Sequence, residues 1–225
     1  MLFRSQAEFL PYKITEIKRS FHEYNFDKFK GGVRVSHVEF HWKMSTSVYG
    51  MDITLSDLST EIRKGNLQGN VAECFSPSAN LLLTIMHHGG RDLFRDLKQV
   101  LDIAKIVQNK EVDWEKVLSL ANRFRVINLV LVGVRLATDL NGIEIPENLK
   151  ERINAKKIIT LSENRKRFLT DISHDQNPYR QGYNRWLFRM QSLRGIFFKI
   201  RLTWFIVMLL RSEERRVGKE CGSRW

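Results

Sequence analysis

The chain has 225 residues, with 37 Lys and Arg against 25 Asp and Glu, for a formal net charge of +12. Hydrophobic residues make up 43% of it and aromatics 11%, which supports one or two packed units and excludes an intrinsically disordered chain. The basic balance favours polyanionic partners, whether nucleic acid, nucleotides or an anionic membrane surface, without choosing among them.

The opening MLFRSQAEFLPYK has no long apolar core and no small-residue cleavage site, so it does not read as a signal peptide. LPYKIT, Leu10 to Thr15, reads as a strand with Pro11 near its start. RSFHEYNFDKF and VRVSHVEFHWKM are two aromatic and β-branched runs around Lys30-Gly31-Gly32, the pattern of a hairpin. In the second run Val38, Phe40, Trp42 and Met44 alternate with His37, Glu39, His41 and Lys43. That period of two predicts a core face and a polar face.

From about Ser56 the period becomes helical. SDLSTEIRKG predicts a short helix with a Ser cap and a Gly stop, and Gly65 and Gly69 punctuate a boundary between Met51 and Pro77. SPSANLLLTIMHHGG predicts a helix capped by Ser76, with Pro77 at its first position and a stop at Gly89-Gly90. RDLFRDLKQVLDIAKIVQNK sets Leu93, Leu97, Val100, Leu101 and Ala104 on one stripe. DWEKVLSLANRFR begins at a cap, Asp113. INLVLVGVRLATDLNG is apolar nearly all round, the composition of a central buried helix. PENLKERINA follows Pro146, and ITLSENRKRFLTDI and the long run from Asn184 to Leu210 read as helices on either side of a polar loop around SHDQNPYRQGY. The fold class is therefore α+β, a few hairpin strands followed by an all-helical region.

Ile196 to Leu210 is apolar but includes Lys199 and Arg201, and a membrane span needs about 20 apolar residues. A core or interfacial helix is the better reading, so a membrane partner is disfavoured, although a peripheral membrane role through this stretch stands as a third reading. The closing run RSEERRVGKECGSRW, residues 211–225, has no hydrophobic period. Arg211 to Cys221 match the in-frame translation of a common short-read sequencing adapter without a mismatch, so the run is expected to be an artefact outside the fold. It carries five basic residues (Arg211, Arg215, Arg216, Lys219, Arg224) and three acids (Glu213, Glu214, Glu220), which leaves the rest of the chain at +10. It also holds Cys221, so only Cys74 remains. An intrachain disulfide and a thiolate metal cluster are then excluded, and a reducing, cytoplasmic setting fits.

VEFHWKM is the segment most suggestive of chemistry. Glu39 lies mid-strand on the polar face beside His41. Rigid carboxylates on a sheet surface are what nucleotidyl transfer uses to hold divalent ions on a triphosphate. The same residue could equally be a Glu on the wet side of a half-buried strand. His87-His88 shows no third metal ligand nearby, so His88 reads as a polar contact at a helix end, and His41 either joins the Glu39 site or bonds across strands. ENRKRF and RQGYNRWLFRMQSLR interleave basic and aromatic residues, which suits stacking on bases or a solvated helix face with Arg stems over the core.

Taken in order, Glu39-Phe40-His41-Trp42, His88 at the end of a leucine-rich helix, Leu97 to Ile103, Asp113-Trp114-Glu115, and Gly142 followed by Pro146 resemble an uncharacterised family of the DNA polymerase β-like nucleotidyltransferase superfamily. The resemblance runs from about Leu10 to Leu149. It implies that residues 1–55 form the C-terminal part of a nucleotidyltransferase core and residues 56–210 a helical domain. It implies an enzyme that transfers an NMP group from an NTP to an unknown acceptor with Mg²⁺ or Mn²⁺, and it places Glu39 as the third of three metal-holding acids. The first two, an Asp-x-Asp pair after a Gly-Gly or Gly-Ser turn, have no counterpart. Asp113-Trp114-Glu115 comes after the strand acid and opens a helix, and neither Gly31-Gly32 nor Gly89-Gly90 precedes such a pair. The chain is thus expected to be a fragment, inactive as it stands. The rival reading is a basic helical module that binds nucleic acid or a protein partner without catalysis.

Overall fold

A computed structural model describes residues 4–5, 23–41, 53–170 and 178–193, with isolated positions between 195 and 207. The LPYKIT strand, the side chains of Phe40, Trp42 and Met44, and the run 211–225 lie outside the described residues. The chain is α+β and divides into two compact units, one of residues 1–47 and 51–74, the other of residues 48–50 and 75–225.

The first unit holds strands β1 (Arg4–Ser5), β2 (Glu23–Lys30) and β3 (Val33–His41) in one antiparallel sheet of that order. The expected hairpin is present, and Lys30 pairs with Val33 across Gly31-Gly32. Both glycines have positive φ, 58° and 80°, as a two-residue turn matched to strand twist requires. An irregularity between Lys28 and Phe29 shifts the register by one residue. The tip is solvated, with Phe29, Val33 and Val35 all exposed, and Val38, expected on a core face, is itself 38% exposed.

The helix predicted over SDLSTEIRKG is a 3₁₀ turn, Leu55–Glu61, capped at Thr54, whose amide donates to Asp57 Oδ2 at 2.9 Å. Gly65 does not stop it. Ile62–Leu67 is strand β4, which pairs with β5 (Asn70–Phe75) in a second hairpin. Gln68 and Gly69 turn it with φ of 52° and 85°, and Asn66 Oδ1 accepts the Gly69 amide at 2.7 Å.

The second unit is helical. Helix α1 (Pro77–Ile85) starts as expected, with Ser76 Oγ accepting from the Ala79 amide at 3.3 Å and Pro77 at the first position. Gly89-Gly90 does not end it. The chain widens into a π-helical turn, Met86–Arg91. Helix α2 (Leu97–Val107) then buries Val100, Ile103, Ala104 and Val107, whereas Leu97 and Leu101 of the expected stripe are exposed. Leu93 belongs to the preceding loop.

Helix α3 (Trp114–Arg123) is capped by Asp113, which accepts the Lys116 amide at 3.1 Å. Helix α4 (Ile127–Asn141) is the central helix the sequence predicts, and it packs against α1, α2 and α3. It closes at Gly142 in the left-handed conformation. Helices α5 (Glu147–Ile153), α6 (Lys156–Thr170) and α7 (Pro178–Ser192) complete the unit against α4. Helix α7 begins at Pro178, inside the stretch expected to be loop. Among the described residues no helix is long and apolar enough to cross a membrane.

Candidate functional site

On the hairpin, Glu39 faces Asn25 and His37 faces Asp27 across the β2–β3 ladder. Strand alternation puts His37, Glu39 and His41 on one face, and their side chains join into a single run. His37 Nδ1 lies 2.6 Å from Asp27 Oδ1 and its Nε2 lies 2.9 Å from Glu39 Oε1. His41 Nε2 lies 3.1 Å from the other oxygen, Glu39 Oε2. Arg34 Nη1 approaches Asp27 Oδ1 at 3.5 Å. Two imidazoles therefore fix both oxygens of Glu39, and Asp27 fixes the imidazole behind it. The Glu39 carboxylate remains 41% exposed, open to a ligand from solvent.

The hydrogen bond from His37, then that from His41, holds the Glu39 carboxyl below its ordinary value, so it is ionised at neutral pH. Asp27, then Glu39, raises the His37 imidazole above 6.5. Glu39, with its lowered folded value, contributes stability above 4.5 that disappears as pH falls through that lowered value. His37, with its raised folded value, contributes below 6.5 and loses that contribution as pH rises through the raised value. Both contributions are complete between pH 4.5 and 6.5. By NMR, His37 should titrate with a midpoint above 6.5, and Asp27→Asn should bring it down. A midpoint unmoved by Asp27→Asn would remove Asp27 as the cause.

The other sequence candidates fall in the helical unit. Asp113 caps α3, and its backbone amide and carbonyl both meet Ser78 Oγ, at 2.9 and 3.2 Å. Asp113 is thus spent on capping α3 and joining it to α1. His87 and His88 lie in the π turn with ring centroids 5.4 Å apart. Of the basic and aromatic run on α6 and α7, Arg165 and Phe188 are buried. The Arg165 guanidinium stacks on the Phe188 ring at 4.5 Å, and burial, then Arg185 and Arg189, pull it down to about 10, still charged at neutral pH. Arg189 Nε donates to Gly90 O at 3.1 Å and its Nη2 to Arg91 O at 2.9 Å. These cations hold the π turn and its exit from behind. Tyr183 is exposed and lies 5.7 Å from the Trp186 ring.

The family of uncharacterised nucleotidyltransferases matches residues 8–142, more than half of the chain. The chain belongs to that family. The matched span takes in the Glu39 hairpin and runs to Gly142 at the end of α4. No curated protein and no solved structure matches. The resemblance read from VEFHWKM onward thus led to the right family. The polar face of the strand already held His37, and what the sequence did not disclose is that Asp27 joins the same run of side chains as Glu39. The opposition of Asp27 and His37 across a two-residue Gly-Gly turn was the available signal.

Proposed function

We propose that the full-length protein transfers an NMP group from an NTP to an acceptor, with Glu39 as one of the carboxylates that hold a divalent ion. The observation that carries this reading is an ionised, half-exposed carboxylate, fixed mid-strand by two imidazoles, inside a chain of a nucleotidyltransferase family. In such a transfer the acceptor nucleophile attacks the α-phosphorus and pyrophosphate leaves. Divalent ions supply the charge that the triphosphate requires.

Glu39 fits one part of that demand. Mg²⁺ and Mn²⁺ favour carboxylate oxygen, and each Glu39 oxygen keeps lone pairs beyond the one its imidazole engages. A centre for two ions needs more carboxylates than this cluster offers, and Asp27 is committed to His37 and Arg34. The role of these residues is accordingly positional. His37 and His41 prevent the carboxylate from rotating, and Asp27 fixes the first imidazole so that Glu39 meets its ligand without reorganising.

The Asp-x-Asp pair is absent from the sequence, and the expectation is that this chain alone is inactive. The acceptor, the acid pair and the ions themselves lie beyond its own residues. The test is a transfer assay with α-labelled NTP and Mn²⁺ on this chain and on the same chain preceded by its upstream reading frame. The expected result is labelled product from the extended protein only, and a fall of about 100-fold or more on Glu39→Ala with the fold intact by circular dichroism. Full transfer by the extended Glu39→Ala protein would remove Glu39 from the site. Transfer by the chain alone would show that it needs no further acids.

A further inference from the structure

Outside the Glu39 cluster, one group of side chains among the described residues brings together atoms that could hold a metal ion. It lies in the π turn of the helical unit. A π register places residues five apart one above the other, and the Asp92 amide accordingly bonds back to His87 O at 3.3 Å. That register brings Asp92 Oδ2 to 3.8 Å from His87 Nε2. His88, adjacent in sequence, points into the same region, and one ligand atom from each of His87, His88 and Asp92 lies within 4.8 Å of the others. A tetrahedral ion with bonds of about 2.0–2.2 Å sets its ligands about 3.3–3.6 Å apart. The observed spacing reaches that with small side-chain rotations.

Three further features match a metal centre. His88 Nδ1 is enclosed and has no hydrogen-bond partner, although imidazole nitrogens away from water are normally satisfied. On the far side of the same ring, His88 Nε2 lies 3.4 Å from Asp102 Oδ2, the carboxylate-to-imidazole arrangement that fixes a metal-binding histidine. Gln99 Nε2 donates to Asp92 Oδ2 at 3.1 Å and so orients the third ligand. The backbone beneath is clamped by Arg189 on the Gly90 and Arg91 carbonyls and by Arg165 Nη1 on the Leu93 carbonyl at 3.4 Å. Asp92, His88 and the backbone of the turn are therefore positioned before any ion arrives.

We propose that His87, His88 and Asp92 bind a first-row transition ion of the Zn²⁺ class, with His88 ligating through Nδ1 and Asp102 holding its ring. Two imidazoles and one carboxylate suit Zn²⁺ or Co²⁺ and not Mg²⁺, which favours oxygen. Three protein ligands leave a fourth position for water or an anionic oxygen. The site belongs to the helical unit and uses none of the residues assigned to nucleotidyl transfer.

The test titrates the full chain with Zn²⁺, and with Co²⁺ to read coordination from its visible absorption. The expected result is one tight Zn²⁺ per chain, a tetrahedral Co²⁺ spectrum displaced by Zn²⁺, and no competition from Mg²⁺. His87→Ala and Asp92→Asn should each weaken binding by about 100-fold or more, and Asp102→Asn by about 10-fold with an unchanged thermal midpoint. His88→Gln should abolish the Co²⁺ spectrum, and if that variant fails to fold, the Asp92→Asn titration carries the test. Glu39→Ala should leave Zn²⁺ affinity as it was, so loss of the transfer function and loss of this site are read separately. Zn²⁺ binding that survives both His87→Ala and Asp92→Asn, or that disappears in Glu39→Ala, would overturn the proposal, as would no binding at micromolar Zn²⁺.

Discussion

Replacing Phe94 with alanine is expected to cost about 3–5 kcal/mol, the usual range for removing a fully buried aromatic ring. Phe94 has no exposed surface, sits edge-on to Phe188 with centroids 6.3 Å apart, and lies against Gly89 in the π turn. A Cβ added at Gly89 would fall 2.3 Å from Phe94 Cζ and 2.9 Å from Leu129 Cδ1. Gly89→Ala should therefore destabilise by about 1–3 kcal/mol, despite the better helical propensity of alanine, because a filled site must yield. The two changes should couple. With the ring gone, the two closest clashes vanish and only the one with Leu129 Cδ1 remains, so the double variant should be more stable than the sum of the single costs implies. Urea unfolding of the four proteins measures this, and strict additivity would show that Gly89 is required for a reason other than the ring.

Arg189→Met should cost about 1.5–3 kcal/mol, the range for hydrogen bonds from a charged donor. It removes two donors, to Gly90 O and Arg91 O, and leaves those carbonyls to find water. An opposing effect reduces the loss, because Arg189 is one of the charges that lower the Arg165 guanidinium and its removal relieves that repulsion. Arg189→Lys should recover little, since an ammonium cannot reproduce the fork that spans two successive carbonyls. Thermal unfolding of the two variants checks this, and a lysine variant as stable as the parent would mean that charge, not fork geometry, supports the turn.

The β2–β3 hairpin was legible because two signals agreed, an unambiguous Gly-Gly turn and strict alternation from His37 to His41. The β4–β5 hairpin was not. Ile62-Arg63-Lys64-Gly65-Asn66-Leu67 shows no apolar face, and its first four residues read as the end of a short Ser-capped helix stopped at Gly65. On α2 the expected stripe of Leu93, Leu97, Val100, Leu101 and Ala104 was half right. The helix is capped at Asp96, and Val100, Ile103, Ala104 and Val107 face the core while Leu97 and Leu101 face water. The π turn was hidden for a related reason. Gly-Gly ordinarily ends a helix, and here Gly89 serves instead to admit Phe94, a contact visible only in three dimensions. Within the candidate site, Glu39 and His41 could be read from the period of the strand. His37 shares that face by the same period, whereas Asp27 joined them through cross-strand register, which the period alone does not fix.

Leu93 and Phe94 both lie at positive φ, 64° and 51°, where a side chain costs about 1–2 kcal/mol relative to the ordinary helical region. Both are nonetheless buried, and the Phe94 amide bonds to His88 O at 2.7 Å. The loop is thus held like a bent spring, by its packing and against its own backbone preference. Release of that strain lowers the free energy of opening below what its burial would suggest. In native-state hydrogen exchange the Phe94 amide should open at a lower free energy than the amides in the middle of α4, although both are equally remote from water. A stretch that opens readily beside the half-buried His87, His88 and Asp92 can exchange a guest without unfolding the rest of the unit.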